Sequence, residues 1–332
     1  MTKAHPLVDV GMPTRGEAPY IGEAIGSVRA QTYADWTLLV SENGPGGGEL
    51  QERLSPYFAD GRVRYSATGS DLGAAQNHTR LLQAGDAPYV AILHDDDRWD
   101  AGFLERRVAF LERHPECGFV FSGNREIDES SQETGRSELV LTEGVHEPGE
   151  LVPLMLGHNL VGIPTVLARR SAYEAVGAEF SEDTIAFDYE MWLRLALRFP
   201  VGYLAVRDAD YRVHRQQVTM TVRRRGEEQI RLFEHIGALL DASPGIVSDR
   251  KPLRRRLAGA HLSAALDALQ DEDRSPVRRH LRAALRISPT AALDPRAPTA
   301  LLGLAVGRRG SRAVDRLRFF VLRKGLRVHL RR

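Results

Sequence analysis

The chain has 332 residues, 42% of them hydrophobic and 27% charged, with 45 basic against 44 acidic side chains and a net charge of +1. These values exclude a disordered or fibrous chain and allow a sizeable core in one large domain, or in one domain with an appendage. The single cysteine, Cys117, excludes an intrachain disulfide framework and a zinc site built from several thiolates.

The small net charge hides an asymmetry. Between Leu301 and Arg332 there are ten Lys or Arg and one Asp, so the rest of the chain is net acidic. A basic tail implies an anionic partner, such as a membrane surface or a phosphorylated acceptor, and nothing directs the chain to nucleic acid. The N-terminus lacks the shape of a signal peptide, and no stretch approaches the roughly 20 apolar residues of a membrane span. A cytoplasmic location is the resulting expectation.

In chain order, Leu7 to Met12 reads as a strand closed by Pro13, and Ile21 to Gln31 as a helix with Ile21, Ala24, Ile25 and Val28 on one face. Trp36 to Val40 is a second strand, followed by the turn-rich Asn43 to Gly48. Leu50 to Phe58 reads as helix, Val63 to Ser66 as strand, Ala74 to Ala84 as helix and Tyr89 to Leu93 as a fourth strand. Phe103 to Arg113 is a helix and Phe119 to Phe121 a fifth strand. Strands alternating with helices of this length predict an α/β domain of βαβ units around a mostly parallel sheet. Short strands follow at Pro164 to Ala168 and Gly202 to Val206, with a helix between them from Phe187 to Arg198. From Arg223 onward the pattern is helical, broken at Pro244, Pro252, Pro276, Pro289, Pro295 and Pro298. No internal repeat of fixed period is present.

Ligands of such sheets bind beyond the carboxyl ends of the strands. Pro13-Thr14-Arg15, Ser41-Glu42-Asn43 and His94-Asp95-Asp96-Asp97 all lie at those ends. Three adjacent carboxylates repel one another, and a divalent cation relieves the repulsion. Mg²⁺ and Mn²⁺ favour one or two carboxylates together with substrate phosphates. The competing reading of the triplet is a solvated turn capping the helix that begins near Ala101. Its place directly after a buried strand, before Arg98-Trp99, favours the metal.

These segments, in this order and spacing, resemble the family 2 glycosyltransferases of GT-A fold over roughly residues 7–220. The resemblance rests on Val10-Gly11-Met12-Pro13-Thr14, Tyr20-Ile21, Ser27 to Thr32, Val40-Ser41-Glu42-Asn43-Gly44, Asp71 to Asn77, and Leu93-His94-Asp95-Asp96-Asp97-Arg98-Trp99. It implies a Rossmann-like nucleotide-sugar-binding domain at 1–220, with a donor half at about 1–125 and an acceptor half at about 126–220. A helical region with a basic tail follows at 221–332. The implied reaction moves a sugar, with inversion, from a nucleotide-sugar (UDP-, dTDP- or GDP-linked) to a hydroxyl of a glycan, lipid-linked or small-molecule acceptor. The pathway would be cell-surface polysaccharide, glycolipid or natural-product synthesis.

By the same resemblance, Pro13, Thr14, Arg15, Glu42, Asp71 and Asn77 belong to the donor site, with Glu42 standing where the family usually has Asp. Asp95 and Asp96 would face the donor, Asp96 its ribose or sugar, and Asp97 would bind Mn²⁺ or Mg²⁺. Phe187-Asp188-Tyr189-Glu190-Met191-Trp192 resembles the family's base motif, which puts Asp188 in the base position; the alternative is a helix N-cap. Tyr211-Arg212-Val213-His214 resembles a later motif in which Arg212 would offset phosphate charge and His214 would touch the metal or diphosphate. A lone structural histidine is the alternative for His214.

The apolar and basic run Arg316 to Arg327 reads either as a helix lying on a membrane, peripheral to its inner face, or as a terminal helix docked on the protein. Two other functions compete with this reading. A sugar-1-phosphate nucleotidyltransferase calls for a Gly-rich, Lys-containing loop after the first strand, which Met12 to Gly16 does not supply. A non-catalytic nucleotide-binding module has no need of the Asp triplet and Asp188. Gly44 to Gly48 lacks the Lys-Ser/Thr of a phosphate loop, and neither metalloprotease histidine spacing nor a Gly-x-Ser-x-Gly elbow occurs.

Overall fold

The computed structural model describes residues 8–46, 48–137, 141–214, 225–270 and 273–306. Their elements, in chain order, are β1 (Val8–Thr14), α1 (Ile21–Arg29), β2 (Trp36–Glu42), α2 (Glu49–Leu54), β3 (Val63–Ala67), α3 (Ala74–Gln83), β4 (Tyr89–Ile92), β5 (Arg98–Trp99) and α4 (Phe103–Arg113). Then come β6 (Phe119–Ile127), β7 (Glu133–Arg136), β8 (Gly144–His146), α5 (Val152–Gly157), β9 (Leu167–Arg169), α6 (Arg170–Ala175), α7 (Phe187–Arg198) and β10 (Val201–Arg212). The last are α8 (Arg225–Asp241), α9 (Lys251–Asp267), α10 (Ser275–Ile287) and α11 (Arg296–Val306). The chain divides into two compact units, Met1–Leu151 with Asn159–Arg215, and Val152–His158 with Gln216–Arg332.

The first unit is built on one sheet in the order β3-β2-β1-β4-β9-β6-β10-β5, with β7 on β6 and β8 on β10. The half formed by β3, β2, β1 and β4 is parallel throughout. The remainder departs from the expected mostly parallel sheet. β9 runs antiparallel to both β4 and β6, while β6 and β10 pair parallel. The result is a mixed α/β sheet.

Continuous apolar strands form the centre because both faces are covered. All four residues of β4 are buried, as are Val8, Val10, Met12, Leu38 and Val40. α1 supplies the stripe Ile21, Ala24, Ile25 and Val28. Gly11 is required where α3 crosses β1: a Cβ there would come within 2.9 Å of the Leu81 Cβ. Nine of the twelve residues of α7 are buried, in keeping with its lack of a single apolar stripe.

Several boundaries differ from expectation for local reasons. β1 continues through Pro13 to Thr14. Its β4 neighbour stops opposite Gly11, so Pro13 has a ladder partner only in β2. Pro164 lies in a 3-10 turn, Ile163–Thr165, and the strand begins after it. β6 and β10 run to nine and twelve residues because they pair with each other over most of their length.

A buried ion pair ties α4 to this sheet. Arg107 is 0% exposed, and two of its nitrogens donate to Asp208 at 2.9 and 3.0 Å. It also donates to Ser122 Oγ and to the Thr165 carbonyl.

The second unit is helical. Ala258, Leu262, Ala265 and Leu266 of α9 form a core with Val277, Leu281 and Ala284 of α10 and Ala297 and Ala300 of α11. Pro252 and Pro276 stand at the first turns of α9 and α10, so they open helices where the sequence pattern reads breaks. No helix among the described residues is long and apolar enough to cross a membrane. The basic run Arg316 to Arg327 lies outside the described residues.

Candidate active site

The parallel register brings the ends of three strands together. Thr14 pairs with Glu42, and Glu42 with Ala67. The Leu93 amide extends β4 beside β1 by donating to the Gly11 carbonyl at 3.0 Å, which delivers His94 to Asp97 at the same edge. Thr14 Oγ1 donates to Asp95 Oδ2 at 2.5 Å. Pro13 and Thr14 are buried. Glu42 is half-buried and accepts from the Tyr65 hydroxyl on β3.

Asp71 gathers the loop before α3. It accepts from Asn43 Nδ2 at 2.9 Å and from the Gly73 amide at 3.0 Å, and pairs with the exposed Arg15 at 2.7 Å. The Gly73 amide, and then the Arg15 charge, hold its carboxyl below the usual range. Gly73 itself has φ +83°, a conformation that favours glycine just before the helix. Asn77 is buried and trades hydrogen bonds with Ser41, accepting from its hydroxyl at 2.6 Å and donating to its carbonyl at 3.0 Å. That exchange fastens α3 to β2.

The acidic triplet is pinned from the other side by β10. The two-residue strand β5 pairs Arg98 with Asp210 and Trp99 with Ala209, which draws the triplet against the end of β10. The Arg212 amide then donates to Asp97 Oδ1 at 2.9 Å, and His214 Nε2 lies 2.9 Å from Asp96 Oδ2. Arg212 is placed differently from the phosphate contact expected of it. Its guanidinium is buried and donates to the carbonyls of Asp96 and Asp128, to Ser131 Oγ and to Glu23. It also sits 4.1 Å from the Tyr20 ring centre. These bonds make it a brace for the loops around the triplet.

Burial dominates the electrostatics. It raises the Asp95 carboxyl to about 7, the Asp96 charge adding to the rise while the Thr14 bond opposes it. Burial, and then the neighbouring Asp96 charge, push Asp97 well above the ordinary range. Asp97 is 1% exposed, and its Oδ2 has no hydrogen-bond partner. An unsatisfied buried carboxylate oxygen is costly. A cation at that oxygen would remove the cost, so the residues present fit a divalent ion. One ligand atom each from His94, Asp96 and Asp97 lie within 4.8 Å of one another.

Asp188 stands in the first turn of α7, half-buried, with Ala186 at the cap position. The cap position itself belongs to Ala186, while the Asp188 carboxylate accepts from amides of the first turn. Burial raises its carboxyl to about 6 against the pull of two backbone amides. Phe187 before it packs on His78 at 4.8 Å, and His78 meets His94 at 3.0 Å, so a short chain of contacts links the start of α7 to the triplet. Glu190 is buried and pairs with Arg194 at 2.9 Å, which in turn donates to the Val176 carbonyl at 2.7 Å.

Residues 9–173 match the family described as Glycosyl transferase family 2. That segment, just under half of the chain, carries the family 2 glycosyltransferase pattern. It is 29% identical over 130 residues to the UDP-Glc:alpha-D-GlcNAc-diphosphoundecaprenol beta-1,3-glucosyltransferase WfgD of Escherichia coli, covering 39% of this chain and 50% of that one. The chain spans about half the length of the curated relatives it matches. Among solved structures it superposes on S. aureus TarS 1-349 in complex with UDP-GlcNAc, with a TM-score of 0.65, 13% identity, and coverage of 96% and 92%. It also superposes on the mannosyltransferase PcManGT of Pyrobaculum calidifontis in complex with GDP-Man and Mn²⁺, with a TM-score of 0.55, 17% identity, and coverage of 97% and 87%. The fold is GT-A.

The structure gathers Thr14, Asp95, Asp96, Asp97, His214 and the Arg212 amide into one cluster, and Arg15 with Asp71 and Asn43 into another. Two histidines beside the first cluster carry no assignment from the sequence. His94 stands in the strand-end segment and in the family's motif, but the sequence pattern gives it no role of its own. His78 lies 16 residues upstream on α3, and no local pattern connects the two.

Proposed function

We propose that the chain is an inverting, metal-dependent glycosyltransferase that uses a nucleotide-sugar donor. The observation that carries the reading is the buried, unpartnered Asp97 Oδ2 at the carboxyl ends of β1, β2 and β4, where nucleotides bind in sheets of this kind. The domain would span 1–220, followed by a helical region at 221–332.

In this reading Pro13, Thr14, Arg15, Glu42 and Asp71 line the nucleoside end, and Asn77 holds their scaffold. Asp95 and Asp96 face the ribose or sugar. Asp97 would hold the divalent ion, with Asp96, His94 and His214 around it. When bound, the ion offsets negative charge on the departing diphosphate. Asp188 takes the proton of the acceptor hydroxyl as its oxygen attacks the anomeric carbon. The bond from that carbon to the diphosphate oxygen breaks, and its electron pair leaves with the nucleoside diphosphate. Attack opposite the leaving group inverts the anomeric centre. Arg212 keeps Asp96 and Asp97 in place through its amide and its guanidinium.

The name of the E. coli relative specifies a UDP-glucose donor and a diphosphoundecaprenol-linked acceptor, which supports a cell-surface saccharide pathway with a lipid-linked acceptor. Work at the inner face of a membrane follows from that acceptor. The exposed arginines Arg278, Arg279, Arg282 and Arg286 of α10 line one basic concavity and supply a surface for anionic lipid.

Calorimetry with UDP, GDP and dTDP, each with and without Mn²⁺, tests the reading. Metal-dependent binding of one of them is expected, with loss in Asp97→Ala. Absence of binding to all three would defeat it.

A further inference from the structure

His94 lies between two groups that fix its ring. On one side, His78 Nδ1 is 2.8 Å from the Ala74 carbonyl, one turn back on α3. A carbonyl only accepts, so His78 Nδ1 carries a proton. The His78 ring is 4% exposed and packed against the rings of Phe180 and Phe187, a setting that disfavours charge. Its other nitrogen, Nε2, is therefore an acceptor. The atom it meets is His94 Nε2 at 3.0 Å, so His94 donates from Nε2.

A neutral His94 in that tautomer carries its lone pair on Nδ1, and Nδ1 faces Asp97 Oδ2 at 3.8 Å. That separation is too long for a hydrogen bond. It is within the roughly 4.2 Å that two donors on one ion can span with bonds of about 2.1 Å. Two acceptor atoms, one of them buried without a partner, thus face a common point.

We propose that His94 is a nitrogen ligand of the ion, held in its ligating tautomer by His78, and that this nitrogen makes the site prefer Mn²⁺ to Mg²⁺. Imidazole suits first-row transition ions, whereas Mg²⁺ favours oxygen donors. His78 acts only through His94 and is a positioning residue. The inference rests on the proposed metal site and adds to it the identity and tautomer of one ligand, and a selectivity.

The test uses the full chain loaded with Mn²⁺. Pulsed electron paramagnetic resonance reports directly bound nitrogen, and competition titration reports the ratio of Mn²⁺ to Mg²⁺ affinity. In the wild type a nitrogen coupling is expected. It should vanish in His94→Asn and survive in His214→Asn, which separates the two candidate histidines. The Mn²⁺ preference should fall about tenfold or more in His94→Asn, within the range seen when metal-site partners are removed. His78→Phe should weaken the coupling and the preference. His78→Gln, whose amide oxygen can accept the His94 proton, should restore both.

Bound Mn²⁺ with an unchanged nitrogen coupling in His94→Asn would overturn the ligand assignment and leave the metal site standing. Equal behaviour of His78→Phe and His78→Gln would overturn the tautomer lock. Failure of the wild type to bind Mn²⁺, alone or with a nucleoside diphosphate, would remove the metal site and this inference together.

Discussion

Replacing Asp188 with Asn removes the carboxylate but keeps its size and its place in the first turn of α7. Two effects compete at that position. A helix N-terminus favours an anion by about 0.3–1 kcal/mol, which moves a carboxyl by less than one pKa unit. Burial acts the other way and wins, raising the group from 3.8 to about 6. A base with that value is roughly 90% ionised at pH 7 and roughly 10% ionised at pH 5. The rate of nucleoside diphosphate release during transfer should therefore rise through pH 6 and fall about tenfold per unit below it. Asp188→Asn should lose about 10²- to 10⁴-fold in kcat at pH 7, with the donor affinity held. Asp95, raised to about 7, also titrates in the site, so the wild-type profile alone is ambiguous. The difference between the two profiles isolates Asp188, because only its limb disappears in the variant. An Asn variant within threefold of the wild type at pH 7, or one that keeps the limb near 6, would refute the base assignment.

Arg107→Ala leaves Asp208 buried with the partly exposed Arg106, 2.8 Å away, and the Ser122 hydroxyl at 3.3 Å as partners. The loss should sit near the lower end of the roughly 3–5 kcal/mol that follows from breaking a buried pair, read by urea unfolding. Cys117 is buried, and burial pushes its thiol up to about 12. It should resist a thiol-specific disulfide reagent in the native chain and react only on unfolding. Reversing Arg278, Arg279, Arg282 and Arg286 to Glu should weaken sedimentation with anionic vesicles and leave neutral vesicles unaffected. Equal sedimentation of both proteins would exclude α10 as the contact.

The parts of the fold that were legible in the sequence are those set by local pattern. α1 shows its buried stripe at the spacing its residues predict, and β4 reads as a buried run because all of its residues are covered. The triplet was legible for the same reason, since three carboxylates after such a run are anomalous on their own. What stayed hidden depends on pairing between distant segments. β5 has two residues and exists only through β10, and β9 has three and reverses direction between two strands it does not follow in sequence. β5 carries no periodic signal long enough to see, whereas β9 overlaps the strand expected at 164–168 and only its antiparallel pairing is unreadable.

The site divides along the same line, and Arg212 shows how. An arginine near a phosphate motif reads as a free cation, because the sequence shows its charge but not its surroundings. Here β5 hooks onto the end of β10 and turns residue 212 inward. Its amide holds Asp97 Oδ1, while the guanidinium satisfies Asp96, Asp128, Ser131 and Glu23. A buried guanidinium must find such partners or leave the interior. The consequence falls on Asp97. One oxygen is fixed by the Arg212 amide, and the other is left buried and unpaired beside His94. The brace thus places the oxygen that the proposed ion would need, which gives Arg212 a task in the site that its charge alone does not reveal.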